Sequence, residues 1–355
     1  MKVLIVSDCA NSQICGVTRK QKELIKQLRF KNHIPKLLSP DSFFTVSAPY
    51  FKQVRLVIPS PFSYRKIVKL FEKFKPEIVN IMTEGPLGLM VSIHCILKAI
   101  PYTTMRCTQF ENYIPWLHRI ISSYLYIFHS FSKACITPSP TLARQYKHPN
   151  ALGILNGCDT SEFTNEGKIH KDIEKIKGPK WLYVGRISPE KNIDAFISLY
   201  NKLPGSFIIV GSGPSILNIK QSNNIYYLGW KHGKELSEIY RSCDVFVFPS
   251  KTDTFGQVMV EAMASGLPVA AYPVTGPIDV VKDGITGCLH DNLKYACESA
   301  YKFKNYENCI QHAKTFSWSE MCDKFLECQV VCNYPVREYV YSYIFLSLLT
   351  IYFVF

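Results

Sequence analysis

The segment from Phe246 to Ala271, FVFPSKTDTFGQVMVEAMASGLPVAA, constrains the fold of this chain more than any other. An apolar run that ends at Phe248 predicts a buried strand; a polar loop, a helix and a second strand follow. This order is typical of a parallel sheet, which binds ligands at the carboxyl ends of its strands. Asp253 in the loop and Glu261 in the helix supply carboxylates that accept hydrogen bonds from sugar hydroxyls, and helix N-terminal amides favour phosphate. The pattern suits a nucleotide sugar.

Strand and helix signals alternate on both sides of an Asn-Gly-rich segment, Ile154 to Phe163, which predicts a domain boundary. We therefore expect an α/β protein with two Rossmann-like doubly wound domains that face each other across a cleft. The predicted domains are residues 1–155 and 156–328, followed by an apolar tail, residues 329–355. The predicted strands are Val3–Val6, Ile78–Met82, Tyr102–Met105 and Ala134–Thr137 in the first half, and Trp181–Val184, Phe207–Val210, Ile225–Leu228 and Val245–Phe248 in the second.

The positive charge of the chain lies in its first half. Residues 1–155 hold 21 Lys and Arg against 7 Asp and Glu, or +14, and the remainder holds 20 against 21, or −1, for the net +13. The basic, amphipathic segments Tyr64–Lys75 and Arg19–Lys31 fit either solvated helix faces or helices lying on anionic lipid. We expect no nucleic-acid partner, because no recognisable binding motif accompanies the charge.

The cysteines and the two ends of the chain bear on its location. The thirteen cysteines form no Cys-x-x-Cys motif and no zinc spacing, which predicts reduced thiols in a cytoplasmic protein without a metal site. The apolar run at the N-terminus is too short for a signal peptide. The uncharged segment Tyr339–Phe355 spans about 25 Å as a helix, short of a bilayer core. It fits a marginal tail anchor, an interfacial segment, or a buried strand or helix.

Three motifs in order resemble a known family. They are Gly185-Arg186 with Lys191, Gly211-Ser-Gly-Pro, and Asp253-x-Phe-Gly followed by Glu261. This order resembles the retaining GT-B glycosyltransferases of family 4 (glycosyltransferase group 1), and in particular bacterial mannosyl- and hexosyltransferases with a Thr-Asp-Thr-Phe-Gly motif. The resemblance covers about residues 1–328. It implies a hexosyltransferase of the mannose or glucose type that uses a nucleotide diphosphate sugar and a lipid or glycan acceptor.

The resemblance assigns Arg186 and Lys191 as cations on the diphosphate, where negative charge grows as the glycosidic bond breaks. The chain contains no Asp-x-Asp, which fits a metal-independent enzyme that needs no cofactor. With Asp253 on the transferred sugar, these are the expected catalytic residues. The alternative is that Arg186 and Lys191 are ordinary solvated loop cations and that Asp253 only precedes a helix.

Other positions are expected to bind the donor. Glu261 matches the position that contacts the ribose, and a glycine at Gly16 would let the backbone approach the diphosphate, although Cys15 stands where relatives have a second glycine. Plain loop glycines and a surface carboxylate are the alternative. The full expected set is Gly16, Gly185, Gly211, Gly229, Phe255, Gly256, Gln257 and Glu261.

One position departs from the family. Many relatives have a histidine on the donor sugar where this chain has Cys107, and a thiol is only a weak hydrogen-bond donor. Arg106 and Glu111 are the neighbouring candidates for the sugar or acceptor pocket. The departure also keeps open a catalytically inactive nucleotide-sugar-binding relative, and the fold keeps open a sugar-nucleotide epimerase.

Overall fold

The computed structural model describes residues 1–10, 15–47, 55–109, 111, 115–215, 224–303 and 306–332. The chain forms two compact units: residues 1–154 together with the chain from Cys322 onward, and residues 155–321. The uncharged segment Tyr339–Phe355 lies outside the described residues. None of the helices within the described ranges is long and apolar enough to span a membrane.

The first unit contains a parallel sheet in the order β2-β1-β5-β6-β7-β8. The order reverses at β1, which has β2 on one side and β5 on the other. The carboxyl end of β1 therefore lies at a topological switch point of the sheet. A separate antiparallel pair joins β3 to β4. The strands are β1 Lys2–Val6, β2 Ile34–Leu38, β3 Thr45–Ser47, β4 Arg55–Val57, β5 Ile78–Ile81, β6 Thr103–Met105, β7 Cys135–Thr137 and β8 Ala151–Gly153.

Helices of the first unit begin at recognisable signals. Ser60 and Ser139 each precede a proline, and each hydroxyl accepts a hydrogen bond from the backbone N–H three residues on. The helices are α1 Gly16–Phe30, α2 Pro61–Phe74, α3 Pro86–Leu97, α4 His118–Ser130 and α5 Pro140–Tyr146. The core between sheet and helices is built from strand residues such as Leu4 and Ile81 and helix residues such as Ile67.

The first unit is completed by the end of the described chain. The Thr103 hydroxyl donates to Oε1 of Gln329 at 2.7 Å, and the Cys332 N–H donates to the carbonyl of Glu77 at 2.8 Å. Cys332 is buried in the same apolar core. These contacts join residues more than 200 positions apart in sequence.

The second unit repeats the architecture with the order β11-β10-β9-β12-β13-β14, all parallel. Both faces of this sheet are covered by apolar clusters, so its central strands are buried throughout. The strands are β9 Lys180–Val184, β10 Ser206–Val210, β11 Ile225–Tyr227, β12 Val245–Phe248, β13 Val269–Ala271 and β14 Gly287–Leu289. The helices are α6 Lys171–Glu174, α7 Ile193–Ile197, α8 Gly233–Arg241, α9 Gln257–Ala264, α10 Pro277–Val280, α11 Leu293–Lys302, α12 Tyr306–Ala313 and α13 Trp318–Glu327, whose last residues belong to the first unit.

Candidate active site

Lys191 and the loop carboxylate Asp253 meet at the carboxyl edge of the second sheet. The strands β9 and β12 are neighbours, so the loops that follow them share this edge. Lys191 ends a short 3-10 turn after β9, and its ammonium forms an ion pair with Oδ2 of Asp253 in the loop after β12. The lysine side chain is 28% exposed and the aspartate side chain 15%. The pair is therefore half-enclosed and still open to a ligand.

Several hydrogen bonds hold these two loops together. The Asn192 side-chain amide donates to the carbonyl of Pro249 at 3.0 Å, and the Ser250 and Thr252 hydroxyls donate to the carbonyl of Glu190 at 3.2 and 3.3 Å. Asn192 adopts the left-handed conformation, with φ 54°, which turns the chain from the lysine into α7. The ion pair is thus positioned by backbone contacts on both sides.

The loop after β12 places Asp253 ahead of the helix α9. The Phe255 N–H donates to Oδ1 of Asp253 at 3.2 Å, so this amide, expected on the donor, already has a partner within the loop. Gly256 precedes α9 with φ 78°, and a Cβ there would lie 2.5 Å from Cε of Met259. The side chain of Gln257 donates to the carbonyl of Gly157 at 3.1 Å. The Phe-Gly-Gln step therefore shapes the entry to the helix.

The glycines after β9 and β10 allow two loops to touch. A Cβ at Gly211 would lie 1.8 Å from the carbonyl oxygen of Gly185, and a Cβ at Gly213 would lie 2.2 Å from that of Ile187. The N–H of Gly185 donates to Val210, and that of Gly211 donates to the carbonyl of Gly229. The N–H groups of Gly185 and Gly211, which the sequence predicts to bind the donor, thus form hydrogen bonds that hold the loops together.

Arg186 and Tyr183 stand side by side after β9. Arg186 is exposed, and its carbonyl accepts a 2.7 Å hydrogen bond from the buried Tyr183 hydroxyl. Burial raises the pKa of Tyr183, and the nearby carboxylates Glu190 and Asp253 raise this pKa further. The hydroxyl therefore stays protonated and fixes the arginine loop. No sequence signal points to this role, because a tyrosine in a buried strand resembles an ordinary core residue.

Glu261 lies on α9, one turn past the helix entry, and is 2% exposed. Its Oε2 accepts a 3.2 Å hydrogen bond from the hydroxyl of Tyr240 on α8. Sequence reasoning missed Tyr240, because a tyrosine on the buried face of a helix resembles an ordinary core residue. Gly229 has φ 72° with no atom within 4 Å of an added Cβ among the described residues, and the next residue, Trp230, is exposed. The backbone at Gly229 is thus accessible.

In the first unit, Gly16 is the first residue of α1 and is exposed. No described atom lies within 4 Å of an added Cβ at this position. Cys15 precedes the helix, and its N–H donates to the hydroxyl of Thr18 at 3.1 Å. Hydrogen bonds from the neighbouring Cys9 thiol and from backbone and side chain of Thr18 lower the pKa of Cys15 to about 5. The Cys15 sulfur in turn accepts hydrogen bonds from the first-turn N–H groups of Val17 and Thr18, so it caps the start of α1.

Arg106, Cys107 and Glu111 follow β6 at the same edge. Arg106 is buried, forms an ion pair with Oε1 of Glu111 and stacks its guanidinium 3.9 Å above the ring of Tyr146. The structure therefore places the two charged candidates in contact with each other. Cys107 is partly exposed, and burial of its thiol raises its pKa.

Asp8 follows β1 and caps the helix α3. Its carboxylate accepts hydrogen bonds from the N–H groups of Leu87 and Gly88 at 2.8 and 3.2 Å, and from the Thr83 hydroxyl at 2.9 Å. Burial nevertheless dominates and raises the pKa of Asp8 to about 6. Within the described ranges, no three His, Cys, Asp or Glu side chains come together as a metal site. All thirteen cysteines are described and are free thiols.

The match to a protein-family model lies in the second unit. Residues 165–308 match the family model "Glycosyl transferases group 1". This segment contains the Lys191–Asp253 pair, Arg186 and Glu261. The ion pair at the carboxyl edge thus lies within the matched family segment.

Curated relatives extend over more of the chain. The sulfoquinovosyl transferase SQD2 of Arabidopsis thaliana is 29% identical over 265 residues, which are 68% of this chain and 51% of that protein, so the match spans about half of its length. A GDP-mannose-dependent alpha-mannosyltransferase of Corynebacterium glutamicum is 22% identical over 92% of this chain and 88% of that protein. A protein of the same name from Mycobacterium tuberculosis is 24% identical over 81% of this chain and 83% of that protein.

Solved structures show the fold. A sucrose-phosphate synthase from Thermosynechococcus elongatus matches with a TM-score of 0.72 and 16% identity, over 92% of this chain and 97% of that one. The Anabaena protein HepE in complex with UDP-glucose matches with a TM-score of 0.68 and 15% identity, over 92% and 98%. These likenesses confirm the predicted GT-B fold with parallel α/β sheets.

Proposed function

We propose that this chain, a member of the group 1 glycosyl transferases, moves a hexose of the mannose or glucose type from a nucleotide diphosphate sugar to a lipid or glycan acceptor. Relatives that cover most of the chain bear the name GDP-mannose-dependent alpha-mannosyltransferase, and a neighbouring structure holds UDP-glucose. These names support a nucleotide-sugar donor and leave guanine and uracil as the two bases to compare.

The Lys191–Asp253 ion pair carries the proposal. It joins a cation and a carboxylate at the carboxyl edge of two neighbouring parallel strands, where sheets of this kind bind ligands. A sugar diphosphate presents both complements, since phosphate oxygens accept from an ammonium and sugar hydroxyls donate to a carboxylate. In the proposed complex Lys191 contacts the diphosphate and Asp253 the transferred hexose.

The mechanism follows from where charge develops. As the bond between the sugar and the diphosphate breaks, negative charge grows on the leaving oxygen, and Lys191 and the exposed Arg186 stabilise it. These fixed cations supply what a metal ion supplies in other transferases, so we propose metal-independent transfer. The leaving phosphate then accepts the acceptor's proton on the same face of an oxocarbenium-like sugar, which gives retention of configuration.

A donor screen tests this function. Purified protein is mixed with nucleotide sugars and candidate acceptors, and release of UDP and GDP is followed with and without a chelator. We expect release from one donor, unaffected by the chelator, lost in Asp253→Asn and kept in Asp194→Asn, a matched change at an exposed residue on α7. The anomeric configuration of the product, read by NMR, tests retention. Donor binding without release for any acceptor would favour the inactive relative, and absence of donor binding would reject the proposal.

The first unit also carries a surface suited to anionic lipid. Four exposed apolar side chains lie near the start of α2 and in or beside the β3–β4 pair. Lys66 on α2 contacts the chain just before β3, since its ammonium donates to the carbonyl of Ser42 at 2.8 Å and lies 5.6 Å from the ring of Phe43. We call this surface the basic-apolar patch. Its members are Phe44, Val46, Ile58, Phe62, Arg65, Lys66, Lys69 and Lys73. Apolar side chains beside lysines fit a cytoplasmic protein that associates peripherally with a membrane and reaches a lipid acceptor there.

Vesicle co-sedimentation tests the patch. We expect the protein to bind phosphatidylcholine vesicles that contain phosphatidylglycerol and not vesicles of phosphatidylcholine alone. Reversing two charges in Lys69→Glu/Lys73→Glu should weaken binding at least tenfold, since each basic residue near the surface contributes about 1 kcal/mol. Lys171→Glu/Lys175→Glu makes the same change on exposed lysines of the second unit. Equal losses in both double variants would show that the patch is not the attachment site.

A further inference from the structure

Lys20 is buried in the first unit, and its ammonium has no hydrogen-bond partner within the part of the chain that the structure describes. It is the fifth residue of α1 and is 3% exposed, whereas Lys22 and Lys26 on the same helix are exposed. Its Nζ has no hydrogen-bond acceptor among the described residues. A buried ammonium without an anion destabilises a fold by several kcal/mol, so its presence calls for an explanation.

The acidic groups at this edge of the sheet are engaged elsewhere. Asp8 caps α3, Glu111 pairs with Arg106, and Oε1 of Glu84 faces Nε2 of His129 at 3.4 Å. The titratable group that acts on Lys20 is the Cys107 thiol, a weak acceptor, and burial lowers the pKa of Lys20. Among the described residues, none of these three carboxylates accepts a hydrogen bond from Nζ of Lys20.

The position of Lys20 is one where such sheets bind ligands. The helix α1 follows β1, at which the strand order of the first sheet reverses, and Cys107 follows β6 at the same carboxyl edge. In the first turn of α1, the N–H groups of Val17 and Thr18 donate to the Cys15 sulfur, so these two amides are already engaged. The buried ammonium of Lys20 thus lies on the helix that begins at the switch point of the first sheet.

We propose that Lys20 binds a phosphate group of the acceptor at the carboxyl edge of the first sheet. This inference rests on the proposed transfer to an acceptor and narrows the class: the acceptor is a hydroxyl compound that carries a phosphate, either free or as part of a lipid headgroup. The phosphate oxygens supply the anion that Lys20 lacks. Glycosylation then occurs on a hydroxyl of the same molecule.

Inorganic phosphate is the first probe, with thermal unfolding of the full chain as the readout. The Lys191→Met background weakens the proposed diphosphate position of the second unit, so that the response reports on the first. We expect phosphate to raise Tm in Lys191→Met and in Lys191→Met/Lys22→Met. In Lys191→Met/Lys20→Met the apparent affinity for phosphate should fall at least tenfold, as for loss of a charge-assisted hydrogen bond. An identical response in all three proteins would overturn the inference.

A second arm identifies the source of the phosphate. UDP and GDP binding is measured in wild type, Lys20→Met and Lys22→Met. Equal nucleotide affinity in all three, with the phosphate response lost in the Lys20 variant, supports an acceptor phosphate. A tenfold loss of nucleotide affinity in Lys20→Met alone would overturn the acceptor assignment, because the phosphate would then belong to the donor.

Two further readouts separate this inference from folding and from the proposed function. Lys20→Met removes an unpaired buried charge and should not lower Tm, and Lys20→Gln provides a second neutral variant with the same expected loss of phosphate binding. If wild type binds neither UDP nor GDP, the proposed function fails, while the phosphate arm still reports on Lys20.

Wild-type transfer to glycerol at the same rate as to glycerol 1-phosphate would reject the anionic acceptor and leave the transferase function intact. Glycerol 1-phosphate and a phosphatidylglycerol vesicle, compared as acceptors, separate a free phosphate from a lipid headgroup.

Discussion

The change Lys191→Met tests the proposed role of Lys191, which is to stabilise negative charge on the diphosphate while Asp253 contacts the hexose. Methionine keeps most of the side-chain volume and removes the charge. If Lys191 acts mainly on charge that develops in the transition state, kcat should fall about 100- to 1,000-fold, the range for removal of one such donor. The affinity for the nucleotide sugar should fall about tenfold or less, because a lysine side chain that is 28% exposed gains only a modest charge-assisted bond in the ground state.

The structure also sets the expected effect on stability. Removing the lysine leaves the Asp253 carboxylate, 15% exposed, without its cation, although the N–H of Phe255 still donates to it. The cost should lie between that of an exposed pair, under about 1 kcal/mol, and that of a buried one, about 3–5 kcal/mol; we expect about 1–2 kcal/mol in the free energy of unfolding. The loss in Lys191→Met/Asp253→Asn should be smaller than the sum of the single losses.

The assay combines steady-state kinetics, nucleotide-sugar binding by calorimetry and urea unfolding on the same preparations. Lys251→Met is the matched control, because Lys251 is an exposed lysine in the loop after β12 and lies over the ring of Tyr272. Equal losses in affinity and in turnover would mean that Lys191 binds ground state and transition state alike, which refutes the assignment. A kcat within threefold of wild type would refute it as well.

Three further predictions follow from other contacts. Gly211→Ala places a Cβ 1.8 Å from the Gly185 carbonyl oxygen at φ 143° and should lower the free energy of unfolding by about 3 kcal/mol or more. Gly229→Ala, where an added Cβ meets open space, should lower it by about 1 kcal/mol. Equal losses in urea unfolding would contradict the packing role of Gly211. Glu261→Gln keeps an oxygen for the Tyr240 hydroxyl but removes the charge, so calorimetry should show about tenfold weaker UDP or GDP binding, and unchanged affinity would argue against the ribose contact. Burial raises the pKa of Asp8 from 3.8 to about 6, so its stabilisation is largest below pH 4 and is lost as pH rises through 6. The free energy of unfolding of wild type relative to Asp8→Asn should therefore fall by about 2 kcal/mol between pH 4 and 7, and a constant difference would refute this.

The parallel strands of both sheets could largely be predicted from sequence because central strands are continuous apolar runs. The strand Val245–Phe248 is an example, and the structure confirms it. The edge strand Ile34–Leu38 escaped notice, since it contains a proline and a lysine and is half-exposed. Edge strands bury only part of their surface, and their sequences carry a correspondingly weaker apolar signal.

The candidate site was only partly predictable. Motif order pointed to Lys191 and Asp253, and the structure brings them into contact; their roles remain predictions. The engagement of the Gly211 amide by a neighbouring loop could not be predicted, because it depends on which loops pack together. Lys20 could not be singled out either. On a basic amphipathic helix each lysine looks solvated, and only the packing of the sheet edge reveals which ammonium is buried.

The contacts of Gln329 and Cys332 with the first unit have a consequence for synthesis on the ribosome. The first 154 residues emerge early, but the segment that completes their core emerges only after Cys322, about 170 residues later. At about 5–20 residues per second, the nascent first unit waits roughly 10–30 s with part of its apolar interior uncovered. The second unit is continuous and can finish in one pass. The unit that is synthesised first is thus the unit that completes its fold last. We expect chaperones to act mainly on this first unit.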